Sequence, residues 1–267
     1  MTTTAAPIAA RRAGFARDVM TVAGRGLRSI PRDLESVIPA LVIPVFFFFV
    51  NVGALQPLAE AGNDPDFDFR AFQIPTAILF GVTGVTRAPM LVLDIQSGYF
   101  DRLLMTPVRR GALLLGLMAS DFVLALALTV PVLVLGLIVG VSYAGGALGW
   151  VVILLIAAGW SLAYAGFPYA IALKTGNPAA VNTAFLIFFP FVFLTTAFVP
   201  KENLTGWLST VADFNPVTYV LEGMRSVILV GWVVEDLAWA ALAIGGVMVV
   251  TLTMSFLALR GRVSRGA

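Results

Sequence analysis

Hydrophobic positions in this chain fall in long unbroken runs rather than in alternation. No charged residue occurs in 36–59, 122–173, 175–200 or 237–259. A helix needs about 20 apolar residues to cross roughly 30 Å of hydrocarbon, so each run is long enough to span a bilayer and the second spans it twice. Residues 71–93 form a further apolar stretch, interrupted by Arg87 alone. The pattern predicts six transmembrane helices, at about 36–56, 71–93, 112–140, 147–173, 179–199 and 237–259. The expected fold class is an all-α polytopic membrane protein. A single six-helix domain over residues 36–259 follows an N-terminal segment (1–35) and precedes a short tail (260–267).

The polar connections carry patterns of their own. Phe15, Val19 and Val22 recur at helical spacing, which predicts an interfacial helix over 14–30 that Pro31 ends. Between spans two and three, residues 94–110 read as a second amphipathic helix. Phe100, Leu103 and Leu104 share one face, with Tyr99 beside them, while Asp94, Asp101 and Arg102 are charged. Pro107 then stops it. Such a helix offers a partner one apolar and one charged face. Residues 200–236 mix charged and apolar positions in pieces too short to cross. Asn215 followed by Pro216 is a helix start, and Glu222 and Arg225 lie three apart on one face, with Tyr219 in the same segment. A first short helix at about 202–212 followed by this one predicts a re-entrant helical hairpin.

Composition narrows the class. With 59% hydrophobic and 12% charged residues, the chain is too apolar for a soluble domain of 267 residues. It has no cysteine and no histidine, which removes thiol chemistry, the usual metal ligand and the usual proton shuttle. No metal site and no catalytic residue is expected. Arginine and lysine are distributed unevenly. Six lie in the N-terminal segment, three in 94–110, one at Lys174 and three at the C-terminus, whereas the opposite side has Arg70, Lys201 and Arg225. The positive-inside rule therefore predicts both termini and the 94–110 loop in the cytoplasm of a bacterial cell (inner) membrane protein.

An absence bears on energy coupling. A nucleotide-binding phosphate loop needs lysine directly after glycine, but Lys174 follows Leu173 and Lys201 follows Pro200. If ATP drives this chain, another polypeptide hydrolyses it. Arg87 and Asp121 are ionisable residues inside predicted spans, where such groups face a partner or a cavity, and a pair between them is expected. Phe46, Phe49, Phe189 and Phe193 are candidates to line an apolar path, against the plainer expectation of lipid-facing bulk.

Two segments carry a resemblance. Asn215-Pro-Val-Thr-Tyr-Val-Leu-Glu-Gly-Met-Arg225, and Asp101-Arg-Leu-Leu-Met-Thr-Pro107 leading into Leu113-Leu-Leu-Gly116, resemble the permease family of type-2 ABC exporters. That family includes daunorubicin-resistance permeases and export permeases for polysaccharides and lipo-oligosaccharides. One departure is plain: the family often has a Glu-Arg-Glu-type run where this chain has Asp94-Ile-Gln-Ser97. Coupling contacts are therefore expected to rest more on Asp101 and Arg102. The resemblance implies that the N-terminal helix and the 94–110 loop dock on a cytoplasmic ABC ATPase, present in two copies and carrying the ATP and magnesium. It also implies a second permease, the same or related, and a hairpin that shapes the outer end of an export path. Membrane lipid is the remaining partner, and nucleic acid is not one. The expected function is export of a hydrophobic or amphipathic substrate: a drug, a secondary metabolite or a lipid-linked glycan. The alternative is a self-sufficient secondary transporter coupled to an ion gradient through Arg87 and Asp121.

Overall fold

The computed structural model describes residues 14–61 and 67–265, and every regular element among them is helical. An N-terminal helix α1 (Phe15–Ser29) leads through a single 3-10 turn (Ile30–Arg32) into α2 (Leu34–Ala61). Then follow α3 (Phe69–Thr83), α4 (Ala88–Gln96), α5 (Tyr99–Leu104), α6 (Arg110–Ile138), α7 (Gly146–Thr175) and α8 (Pro178–Phe193). A 3-10 turn (Lys201–Asn203), α9 (Trp207–Phe214), α10 (Pro216–Arg225), a π-helical turn (Ser226–Val230) and α11 (Val234–Arg265) complete the chain. The first thirteen residues of the predicted N-terminal segment lie outside the described residues.

Among the described residues, five helical spans are long and apolar enough to cross a membrane: Val37–Ala59, Phe69–Gln96, Arg110–Ile138, Gly146–Thr175 and Val234–Ser264. The fifth predicted span, 179–199, is shorter as a helix. It ends at Phe193 after 16 residues, and the chain continues to Pro200 as apolar turns. The second span is not one rod either. Pro89 has no N–H, and in a continuous helix its ring would meet the Val85 carbonyl. The chain accordingly leaves the helix between Thr83 and Ala88, and α4 restarts with Pro89 in its first turn. At the C-terminus, 260–265 is no separate tail but the end of α11.

α3 is the axis of the bundle, with fourteen of its fifteen residues buried. Asp68 starts it by accepting from the Arg70 and Ala71 amides at 2.9 and 3.2 Å. Around it pack α2, α6, α7 and α10. One apolar core joins Ile74, Ile78 and Phe80 of α3 to Leu133, Ile153, Phe188 and Leu221. A second gathers Leu91 and Val92 of α4 with Phe100, Leu117, Tyr169 and Leu259. α2 and α11 lie at the periphery, with 17% and 22% of their spans buried, against 72% for α3–α4.

Small residues set the closest crossings. A Cβ on Gly166 of α7 would stand 2.5 Å from the Thr251 carbonyl carbon of α11 and 2.6 Å from its oxygen. The Thr251 hydroxyl donates to the Ala163 carbonyl in the same crossing. Gly116 of α6 likewise admits Val22 of α1, where a Cβ would lie 2.5 Å from the Val22 Cβ. Gly166→Ala should therefore force α7 from α11 and cost about 1–3 kcal/mol, read as a lowered thermal midpoint of purified protein in detergent. Gly246→Ala, where nothing lies within 4 Å, should be neutral or stabilising by up to about 1 kcal/mol.

Candidate functional site

Three groups of side chains stand out, at the two ends of the bundle and inside it. At the end holding α1 and α5, Gly98 takes a left-handed conformation, φ 69°, and turns the chain from α4 into α5. The short helix is seated by Phe100, 2% exposed, with Leu103 and Leu104 packed against the same core. Asp101, Arg102 and Met105 point outward, Met105 at 81% exposure, and Tyr99 is partly exposed. α5 ends at Leu104 before Pro107 is reached, and Pro107 lies exposed in the link to α6.

Asp94 has a different role from its neighbours. Arg25 of α1 donates from Nη1 to Asp94 Oδ1 at 3.0 Å and from Nη2 to Oδ2. This fork ties α1 to α4, and the hydrogen bond to Asp94 holds the Arg25 pKa above its ordinary value. The Arg25 guanidinium also stands 5.1 Å from the centre of the Tyr99 ring, and that of Arg109 5.8 Å from Phe15. Arg25 had no distinguishing mark among six N-terminal arginines, because its partner is 69 residues away.

Inside the bundle, Arg87 and Asp121 meet, but not as an ion pair. The Arg87 backbone N–H donates to Asp121 Oδ1 at 2.7 Å. Asp121 Oδ2 accepts from the hydroxyls of Tyr169 at 2.9 Å and Thr86 at 3.2 Å. The Arg87 guanidinium turns away to Asp33, with Nη1 2.7 Å from Oδ2. The reason lies in the break before α4: the first amides of a helix have no partner within it, and a buried one must find an acceptor elsewhere. Asp121 supplies that acceptor. Thr86, Tyr169 and Asp33 complete the cluster, and nothing in their spacing announces it.

At the opposite end, Asn215 accepts from the Val217 amide at 3.0 Å and caps α10. Its Nδ2 donates to the carbonyls of Phe191 at 2.7 Å and Leu194 at 3.0 Å, so one side chain closes α8 and opens α10. Pro216 occupies the first turn of α10. Arg225, 2% exposed, is bonded to Glu222 at 2.9 Å, Thr196 Oγ1 at 2.9 Å and the Phe72 carbonyl at 3.2 Å. Its guanidinium carbon stands 3.5 Å from the centre of the Phe72 ring. Tyr219 donates to the Asp213 carbonyl at 2.6 Å and packs against Trp239. The predicted first helix at 202–212 is instead the 3-10 turn and α9.

The phenylalanines form a ladder between α2 and α8. Phe47 stacks on Phe80 of α3, Phe80 meets Phe189, and Phe189 continues to Phe193 and Phe198, with centroids 4.9–6.4 Å apart. Phe46 meets Phe47 at 6.1 Å, and Phe49 pairs with Phe48. Phe46, Phe49 and Phe193 are all more than half exposed.

Residues 16–229 match the family model for the ABC-2 type transporter. The chain is 28% identical over 200 residues to the daunorubicin resistance ABC transporter permease protein DrrB1 of Streptomyces coeruleorubidus, covering 72% of this chain and 66% of that relative. It is 25% identical over 243 residues to the probable doxorubicin resistance ABC transporter permease protein DrrC of Mycobacterium tuberculosis (strain ATCC 25618 / H37Rv), covering 88% and 86%. To the putative transport permease ycf38 of Pyropia yezoensis it is 24% identical over 259 residues, covering 86% and 87%. The chain belongs to the ABC-2 type transporter family.

Two substitutions test the polar clusters. Tyr169→Phe keeps the volume and removes one donor from the buried Asp121 carboxylate, and should cost about 1–3 kcal/mol of stability, read by thermal unfolding in detergent. Arg225→Lys cannot reproduce the planar fork that reaches Glu222, Thr196 and the carbonyls of Phe72 and Ala197. It should lower the midpoint further than Lys201→Gln, which breaks an exposed 2.7 Å bridge to Asp213 worth about 0–1 kcal/mol.

Proposed function

We propose that this chain, a membrane protein of the ABC-2 type transporter family, is the permease of an ATP-driven exporter that moves a hydrophobic or amphipathic substrate outward. A drug, a secondary metabolite or a lipid-linked glycan fits that class, and two relatives are named for resistance to daunorubicin and doxorubicin. The permease does no covalent chemistry. ATP and magnesium belong to a separate cytoplasmic ABC ATPase, bound in two copies, and a second permease, the same or related, completes the path. The protein would sit in a bacterial cell membrane with both termini and α5 on the cytoplasmic side. Six crossings are part of this reading: α8 rises about 24 Å at about 1.5 Å per residue, and the apolar turns up to Pro200 extend it. The hairpin of α9 and α10 would shape the outer end of the path, and the ladder from Phe47 to Phe198 would flank it.

The observation that carries the proposal is the seating of α5. It is a six-residue helix fixed from below by Phe100, with Arg102 and Met105 exposed above and Tyr99 partly exposed beside Arg25, in a chain with no phosphate loop of its own. A rigid, partly apolar knob of this kind suits a partner groove that pushes on it. Ion coupling through Arg87 and Asp121 is not favoured by the family. Their bonds to Asp33, Thr86 and Tyr169 also give both groups structural work.

The test is reconstitution with the companion ATPase in liposomes. Tyr99→Ala with Arg102→Glu should lower ATP-driven uptake of an anthracycline by about tenfold or more, since a like-charge contact in an interface costs several kcal/mol. The thermal midpoint should fall by no more than the worth of the exposed Arg25–Tyr99 contact, about 0.5–1 kcal/mol. Uptake at the unsubstituted rate would remove α5 from the coupling route. Uptake that ignores ATP and collapses with the proton gradient would remove the exporter reading itself.

A further inference from the structure

A crevice of about 550 Å³ opens where α5 approaches the ends of α7 and α11. Its charged lining is Asp101 of α5, Lys174 in the last turn of α7 and Arg262 near the end of α11, and its apolar wall includes Leu173, Leu257 and Ala258. Arg262 donates from Nη1 to the Leu173 carbonyl at 3.3 Å, which fixes the guanidinium at the end of α7. Its Nε is buried and finds no acceptor among the described residues. Lys174 and Asp101 are exposed and take part in no ion pair among the described residues. The crevice therefore holds two cations, one anion and an unused donor above an apolar wall. Leu257, 59% exposed, continues that wall onto the outer face of α11.

This arrangement fits one kind of membrane component. Basic pockets between transmembrane helices at the cytoplasmic interface hold phospholipid phosphates. Arginine and lysine alone would accept any anionic headgroup, but Asp101 on the opposite rim opposes a second negative charge and offers hydrogen bonds to an ammonium. A headgroup bearing one phosphate and one primary amine complements all three charges, while its acyl chains follow Leu257 and Ala258. We propose that the crevice is a headgroup site for an aminophospholipid, with the phosphate on Lys174 and Arg262 and the amine on Asp101. The lipid would then bridge α5 to the α7–α11 pair, next to the surface assigned above to the ATPase. The inference rests on the membrane placement of these helix ends and not on export or on the ATPase.

Native mass spectrometry of the detergent-purified permease alone tests it, with phosphatidylethanolamine, phosphatidylcholine and phosphatidylglycerol titrated separately. Phosphatidylethanolamine should bind best, because the choline ammonium has no N–H to donate and the glycerol headgroup has no cation. Lys174→Gln, at an exposed position, should weaken its binding about fivefold, the worth of one basic residue near a headgroup. Asp101→Asn should erase its advantage over phosphatidylglycerol. Thermal midpoints near that of the unsubstituted protein show that both variants remain folded. Equal binding of the three lipids, or no loss on Lys174→Gln, overturns the proposal. Competition by free glycerophosphoethanolamine below millimolar concentration would assign the crevice to a soluble ligand and overturn it too. Variants that bind lipid normally but fail to assemble with the ATPase would give the crevice to that protein, again against the proposal. Failure of the exporter reading would leave the lipid titrations untouched.

Discussion

A peptide group that leaves a helix among apolar neighbours has no water to turn to, and the bundle is arranged around that constraint. Several places where a helix stops are met by a polar side chain from another element. Asp121 accepts the Arg87 amide at the break before α4. Asn215 takes the Phe191 and Leu194 carbonyls where α8 runs out. Thr76 of α3 donates to the Ala197 carbonyl at 2.9 Å, Arg70 to Val139 at 3.0 Å, and Arg262 to Leu173. Several of the buried polar residues of this largely hydrophobic chain serve such helix ends.

These bonds fasten α3 and α4 to elements at both ends of the molecule. α3 is held at its start by Arg225, which grips the Phe72 carbonyl and covers the Phe72 ring. Near its end the Thr83 hydroxyl accepts from the Trp160 indole at 2.9 Å. α4 is held from the other direction by the Arg25 fork on Asp94. Between them lie four residues outside any helix, anchored to α6 and α7 by Asp121 and Tyr169. The bond between the Arg87 amide and Asp121 fixes where α4 begins, so the direction of α4, and of α5 beyond it, depends on a carboxylate in α6.

The helical class was legible in the sequence because a charge-free run of twenty or more residues has the length of a bilayer crossing and little affinity for water. The Asn215–Pro216 start and the Glu222–Arg225 spacing were legible for the same kind of reason, being local chemistry within one helical turn. What escaped was decided at a distance. Hydropathy does not separate an apolar helix from apolar turns, so the run to Val199 concealed the end of α8 at Phe193. Pro89 marked a helix start, yet it sat within a run whose length suggested a single crossing. Arg87 could have paired with any nearby carboxylate. The fold gave its guanidinium to Asp33, 54 residues earlier, and left Asp121 to the backbone. Asn215 announced its cap but not its hold on α8, which depends on where the chain returns.

The same distinction alters which residues of the 94–110 segment can meet a partner. Asp94 looked available on sequence. Its two oxygens are occupied by Arg25, and its side chain is 13% exposed, so recruiting it would mean releasing α1 from α4. The exposed part of the segment lies one turn onward, at Tyr99, Asp101, Arg102 and Met105. A helix of six residues rises about 9 Å at about 1.5 Å per residue, too short to be stable by itself. Its rigidity comes from the core through Phe100, Leu103 and Leu104. That anchor joins α5 to the one apolar core it shares with α4, α6 and α7.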